Sequence, residues 1–157
     1  MTPASFRFAL LLGLLILAGC GGSPHAQPQV VRGRGFSFNA PAGWKVTGTR
    51  AQHDSQLVQV ATFPLLHRYD DSLFERVKQE LDARMQAVAK QAGGSVTGSR
   101  TVTVDGGRAH SYQVTSGKDL LEYTFVLRGL REFELLCRRP SSASDDACKL
   151  LLTSFAA

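Results

Sequence analysis

Phe36-Ser-Phe38-Asn-Ala40-Pro41-Ala-Gly43-Trp44-Lys-Val46 is the stretch that decides the fold. Phe36, Phe38 and Ala40 alternate with polar residues, the period of a half-buried strand. Pro41 and Gly43 supply a tight turn, and Trp44 resumes the alternation as an expected core plug. Outward from it, Leu57 to Phe63 reads as a third strand and Pro64 to Asp71 as a loop. From Ser72 to Ala92, Phe74, Val77, Leu81, Met85, Val88 and Ala92 recur at steps of three and four, the apolar stripe of a helix. Ser72 and Glu75 have capping-box spacing, and Gly93-Gly94 ends the helix.

Four strands then follow in close order. Ser95 to Val104 turns at Asp105-Gly106-Gly107, a strong hairpin signal, into Arg108 to Thr115. Ser116 to Asp119 makes a second hairpin, and Leu120 to Arg128 turns at Gly129-Leu130 into Arg131 to Arg138. Leu121, Tyr123, Phe125 and Leu127 share one face of their strand; Phe133, Leu135 and Cys137 share one face of theirs. Asp145 to Phe155 closes the chain as a short helix. These elements predict an α+β domain: a single antiparallel sheet of six or seven strands covered by one long helix and one short C-terminal helix.

The F-x-F-x-x-P-x-G-W motif of Phe36 to Trp44, with this order of elements, resembles the PsbP-like (DcrB-like) domain family over Phe36 to Phe155. The resemblance implies an antiparallel sheet covered by helices. It brings no catalytic residue, because the motif is a turn and a plug. Bacterial members of that family are often lipoproteins, and photosynthetic ones serve as extrinsic subunits of a membrane complex.

Ahead of the domain, one cation at Arg7 precedes an unbroken apolar run from Phe8 to Leu17, the pattern of an export signal. A bilayer-spanning helix takes roughly 20 apolar residues, about twice this run. It ends in Leu17-Ala18-Gly19-Cys20, a bacterial lipobox, in which the thiolate of Cys20 takes up a diacylglyceryl group. The expected division is therefore 1–19 signal peptide, 20–35 lipidated cysteine and tether, and 36–157 folded domain. Gly21 to Gly35 is rich in Gly, Pro and polar residues, and fifteen such residues span roughly 20 Å. Gly21 is not the acidic residue that retains lipoproteins at the inner membrane, which points to the outer membrane in a two-membrane organism. Removing Met1 to Gly19 takes one of 18 cations and none of 13 anions, leaving 17 − 13 = +4. Outside the cytoplasm that charge suits lipid headgroups or wall polymers, not nucleic acid.

With Cys20 acylated, two of the three cysteines remain in a compartment where disulfides persist. Strand parity turns Cys137 toward Phe133 and Leu135; helix spacing aligns Cys148 with Leu151, Leu152 and Phe155. A Cys137–Cys148 disulfide is expected, with two buried free thiols as the alternative. The sequence holds no G-x-S-x-G, H-E-x-x-H, Walker loop or C-x-x-C. His25 falls in the tether and His53 in a polar loop beside Asp54. His67 with Asp70 and Asp71 offers N and O ligands for a divalent ion, though carboxylates before a helix serve its N-terminus equally well. His110 alternates with Tyr112 and Val114, as a half-buried, satisfied histidine does. Arg128, Arg131, Arg138 and Arg139 gather at the ends of the expected last hairpin. No cofactor, no metal and no catalytic residue is predicted. The expected function is a non-enzymatic accessory or binding module of the cell envelope, partnered with the membrane through Cys20 and with an envelope protein. The alternatives are a small hydrolase or ligand or metal carrier built on the His53 and His67 loops, and a purely structural envelope protein.

Overall fold

The computed structural model describes residues 27–157, so Cys20, His25 and the signal region lie outside the described residues. The strands are β1 (Gln29–Gly33), β2 (Phe36–Ala40), β3 (Lys45–Thr47), β4 (Arg50–His53), β5 (Gln56–Tyr69), β6 (Ser95–Val104), β7 (Gly107–Ser116) and β8 (Asp119–Pro140). Two helices complete the fold, α1 (Phe74–Gln91) and α2 (Asp146–Ser154). The strands form not one sheet but two. β3-β4-β5-β8-β7-β6 is a six-stranded sheet, and β1-β2 is a separate antiparallel pair. The tether therefore ends sooner than its composition suggests. Val31, of the apolar pair Val30–Val31 in that stretch, is buried under β2, so residues 29–33 pair as β1 and belong to the domain.

Each face of the large sheet has its own core. On one side Leu81, Met85 and Ala89 of α1 pack on Tyr112, Val114, Phe125 and Leu127. On the other, β1–β2 and α2 bury Phe36, Phe38, Val126, Phe133, Leu135, Leu151 and Phe155 together. The apolar stripe of α1 follows its predicted spacing through Val88, with Val77 and Val88 partly buried, but Ala92 is the exposed C-cap and Ala89 is buried in its place. Its start differs from the expected capping box. A 3-10 turn over Asp71–Leu73 precedes the helix, and the Asp70 carboxylate accepts from the Ser72 amide at 2.8 Å and from the Ser72 hydroxyl. Asp70 sits in extended backbone two residues ahead, so its short side chain reaches that N–H first.

The Asp105-Gly106 hairpin forms as expected, both residues with positive φ (49° and 72°), as a tight turn between twisted strands requires. Gly129-Leu130 does not turn the chain. β8 runs straight through, pairing with β7 along its first half and with β5 along its second. Side-chain parity flips between Leu127 and Phe133, the stretch in which Gly129 adopts φ 56°. Leu127 and Phe125 therefore face α1, whereas Phe133, Leu135 and Cys137 face β1–β2 and α2.

The expected disulfide is present. Cys137 on β8 and Cys148 on α2 are bonded, with Cα atoms 5.4 Å apart. Trp44 is not the buried plug its alternation suggests. It lies between the Pro41–Gly43 turn and β3, whose three residues are all exposed, and it is only partly buried against the core edge, stacked on His53 at 6.2 Å. Gln29 ties the turn down, donating from Nε2 to the carbonyls of Pro41 (3.2 Å) and Trp44 (3.0 Å).

Candidate functional site

The expected loop Pro64 to Asp71 is not a loop as far as Tyr69: Pro64 to Tyr69 is the bulged end of β5, and Asp71 begins the 3-10 turn. Pro64 pairs with Arg131 and Tyr69 with Gly129, so four residues on β5 stand against one on β8. That mismatch throws residues 65–68 out of the sheet plane. Between this bulge and α1 opens a groove of about 460 Å³. Leu65, Leu73 and Val77 form its walls and Leu127 its floor, with Phe63 and Leu66 at its rim. Such a concave apolar surface accepts an apolar guest.

At the inner end of the groove Arg84 of α1 meets Glu132 of β8 in a two-point ion pair, Nη2–Oε1 2.6 Å and Nη1–Oε2 3.4 Å. Glu132 is buried at 6% exposure, so it stays there only because the guanidinium answers both oxygens. Arg84 also lies 4.5 Å over the Phe125 ring. Two residues on, burial raises the Glu134 carboxyl above the usual range and Glu132 adds to this, while Arg84 pulls it back. The Tyr69 hydroxyl is buried at the groove edge without a hydrogen-bond partner. Burial, then the nearby Asp71, push its phenol upward. The groove thus carries one compensated ion pair, with His67 and Glu80 also on its lining.

The sequence-predicted polar residues do not converge. His53 ends β4, opposite the start of β5 and 3.5 Å from Asp54, and His67 lies in the bulge at the far end of β5. Eleven residue-to-residue steps from Gln56 to His67 cover ~30 Å, the bulge shortening the path. Asp70 is spent on Ser72, and among the described residues no three His, Cys, Asp or Glu side chains gather to hold a metal ion. His110 is buried on the α1 face, its Nε2 donating to the Phe74 carbonyl at 3.0 Å and its ring 3.8 Å from Phe74. Burial lowers its pKa, the Phe74 bond only partly opposing this. The four arginines do not gather either. Arg128 and Arg131 flank Gly129 in mid-strand, whereas Arg138 and Arg139 lie by the disulfide end, because the hairpin expected to bring them together is one continuous strand.

Sequence reasoning misses the groove, since two ordinary signals hide it. Proline in an apolar run reads as the end of a strand, and glycine between two alternating runs reads as a turn. Glycine inside a strand is also the mark of a bulge, and Gly129-Leu130 lacks the polar chemistry of a two-residue hairpin. No helix among the described residues is long and apolar enough to cross a membrane.

No family model and no curated protein matches the sequence. The fold does match solved structures. The solution structure of cyanobacterial PsbP from Synechocystis sp. PCC 6803 superposes with a TM-score of 0.62, at 16% identity, over 89% of this chain and 98% of that one. The fold is PsbP-like. A crystal structure from Bacteroides thetaiotaomicron VPI-5482 matches with a TM-score of 0.56 and 14% identity over 85% of this chain and 48% of its own. At such identities the likeness is of fold; the F-x-F-x-x-P-x-G part of the motif forms β2 and the turn after it as expected, whereas its Trp44 is not a core plug.

Proposed function

We propose that this protein is a bacterial envelope lipoprotein: a PsbP-like, non-enzymatic accessory or binding domain held at the membrane by acyl chains on Cys20. The observation that carries this is the lipobox, Leu17-Ala18-Gly19-Cys20, closing an apolar run too short to span a bilayer. The Cys137–Cys148 disulfide supports an oxidising compartment. The distance between His53 and His67 favours a binding role over a hydrolase or metal carrier built on both. Two or three acyl chains hold a domain firmly where one binds reversibly. In a two-membrane organism Gly21 directs it to the outer membrane. Metabolic labelling with a clickable fatty acid tests the anchor: the wild-type chain takes up label and Cys20→Ser takes up none. Equal labelling of the two chains overturns the assignment.

A further inference from the structure

We propose that the bulge end of the domain is a second, reversible membrane contact. Leu66, Phe63 and Leu130 enter the headgroup boundary of an anionic bilayer, and Arg34, Arg68 and Arg131 meet its phosphates. The inference deepens the lipoprotein assignment, on which it rests for bringing this surface within reach of lipid.

Five large apolar side chains are exposed among the described residues, and three of them belong to this end: Leu66 at 95%, Leu130 at 54% and Phe63 at 45%. The pairing that makes the bulge puts them together, because residues 65–68 stand against the single residue Leu130, and Phe63 lies across from Glu132 beside it. A leucine thrust almost wholly into water at the crest of a bulge is an apolar surface awaiting a partner. The partner's charge is written around it. Arg131 donates from Nη1 to the Arg34 carbonyl at 3.1 Å, which draws the β1–β2 turn to the bulge. Arg68 reaches over Gly129, its Nη1 3.9 Å from where a β-carbon there would stand. Among the described residues none of these three guanidiniums has a carboxylate within 4.0 Å, whereas Arg84 and Arg100 each do. Of the nearby anions, Glu132 turns inward to Arg84 and Asp70 to Ser72, while Glu80 of α1 stands exposed on the groove lining. Apolar residues framed by unpaired arginines fit the boundary of an anionic lipid surface.

The tether permits the contact. Nine residues from Cys20 to Gln29 reach at most about 30 Å, and the five residues of β1 carry the chain about 16 Å toward the Arg34 turn. The bulge end can thus touch the bilayer to which Cys20 is fixed. The opposite end, near Trp44, offers two valines, Val46 on a three-residue edge strand and Val30 beside Gln29 on β1, and no larger exposed apolar side chain among the described residues.

The test uses the full mature chain, acylated and reconstituted in vesicles, with a nitrobenzoxadiazole label on His67→Cys or, in a second preparation, on Val46→Cys. Vesicles of phosphatidylcholine with phosphatidylglycerol are compared with phosphatidylcholine alone, and spin-labelled lipid serves as quencher. The label at position 67 is expected to be quenched in anionic vesicles and to remain in water in neutral ones, while the label at 46 stays in water in both. Arg68→Glu and Arg131→Glu should each weaken the contact about fivefold, Arg68→Lys should preserve it, and Leu66→Ser should abolish quenching with unchanged circular dichroism. A label at 67 that stays in water in both vesicles overturns the proposal. So does quenching at 46 instead, or a change at 67 that appears in detergent as the protein concentration rises, which would assign the patch to a second copy of the chain. Intact mass of the same sample separates the two claims. An acylated Cys20 with no quenching at 67 defeats the docking surface alone; a free Cys20 with quenching at 67 when protein is added to anionic vesicles defeats the anchor alone.

Discussion

The two faces of the six-stranded sheet share the strand β8 and are finished in opposite ways. Under β1–β2 and α2, Phe133 meets Phe36 edge-on at 5.8 Å and Phe155 at 5.5 Å, and a disulfide ties the helix to the strand. Under α1 Leu81, Met85 and Phe125 are equally buried, yet the packing thins at the bulge, where Leu65 and Tyr69 are only partly buried and a groove and exposed leucines remain. One face is sealed and holds the fold; the other is left open at one end, where an apolar guest or a lipid surface can be met. The flip of parity between Leu127 and Phe133 makes this possible, since it lets one strand serve both cores in turn.

The largest expected effect lies on the sealed side. Phe133→Ala should lower stability by roughly 3–5 kcal/mol, the usual cost of truncating a buried aromatic, read as a lower urea midpoint, whereas Leu66→Ser should leave the midpoint within about 0.5 kcal/mol. Similar losses from both substitutions would erase the distinction between the faces. Next comes the disulfide. Replacing Cys137 and Cys148 by alanine should cost about 3 kcal/mol, since the bond closes a short loop that the unfolded chain otherwise leaves free. A thermal scan of the double variant against wild type measures it. Trp44→Ala should cost less, roughly 1–2 kcal/mol, because the indole is only partly buried. A loss as large as that of Phe133 would return Trp44 to the core.

The pattern that specifies the sealed face was largely readable from residue order: strand alternation in Phe36 to Ala40, the stripe of α2, and the facing parity of Cys137 and Cys148. Each depends on local period alone. The open end was not readable, because a bulge is a relation between two strands. Nothing within Pro64 to Tyr69 says that Leu130 will stand alone opposite four residues. Trp44 misleads for a related reason: alternation tells which way a side chain points, not whether another layer covers it. His67, Asp70 and Asp71 share a segment without sharing a site, since Asp70 turns back to cap the 3-10 turn.

A smaller effect, on the α1 side, follows from His110. Its pKa lies below the ordinary histidine value of about 6.5 because burial disfavours the imidazolium. Between the folded and unfolded values the unfolded chain binds the extra proton, so stability is full above about pH 6.5 and declines as pH falls through the folded value. Chemical denaturation at a series of pH values should show this decline in wild type and a shallower one in His110→Gln. Equal slopes would mean that the acid loss arises elsewhere.

The most direct test of the sealed and open faces is hydrogen exchange followed by mass spectrometry on the acylated chain, in phosphatidylglycerol-containing vesicles and in detergent. Peptides covering 63–69 and 128–132 are predicted to exchange faster than those covering 145–155 in detergent, and to slow in the vesicles while 145–155 does not change. Slowing confined to 36–47 or to 145–155, with 63–69 exchanging alike in both, would contradict the account.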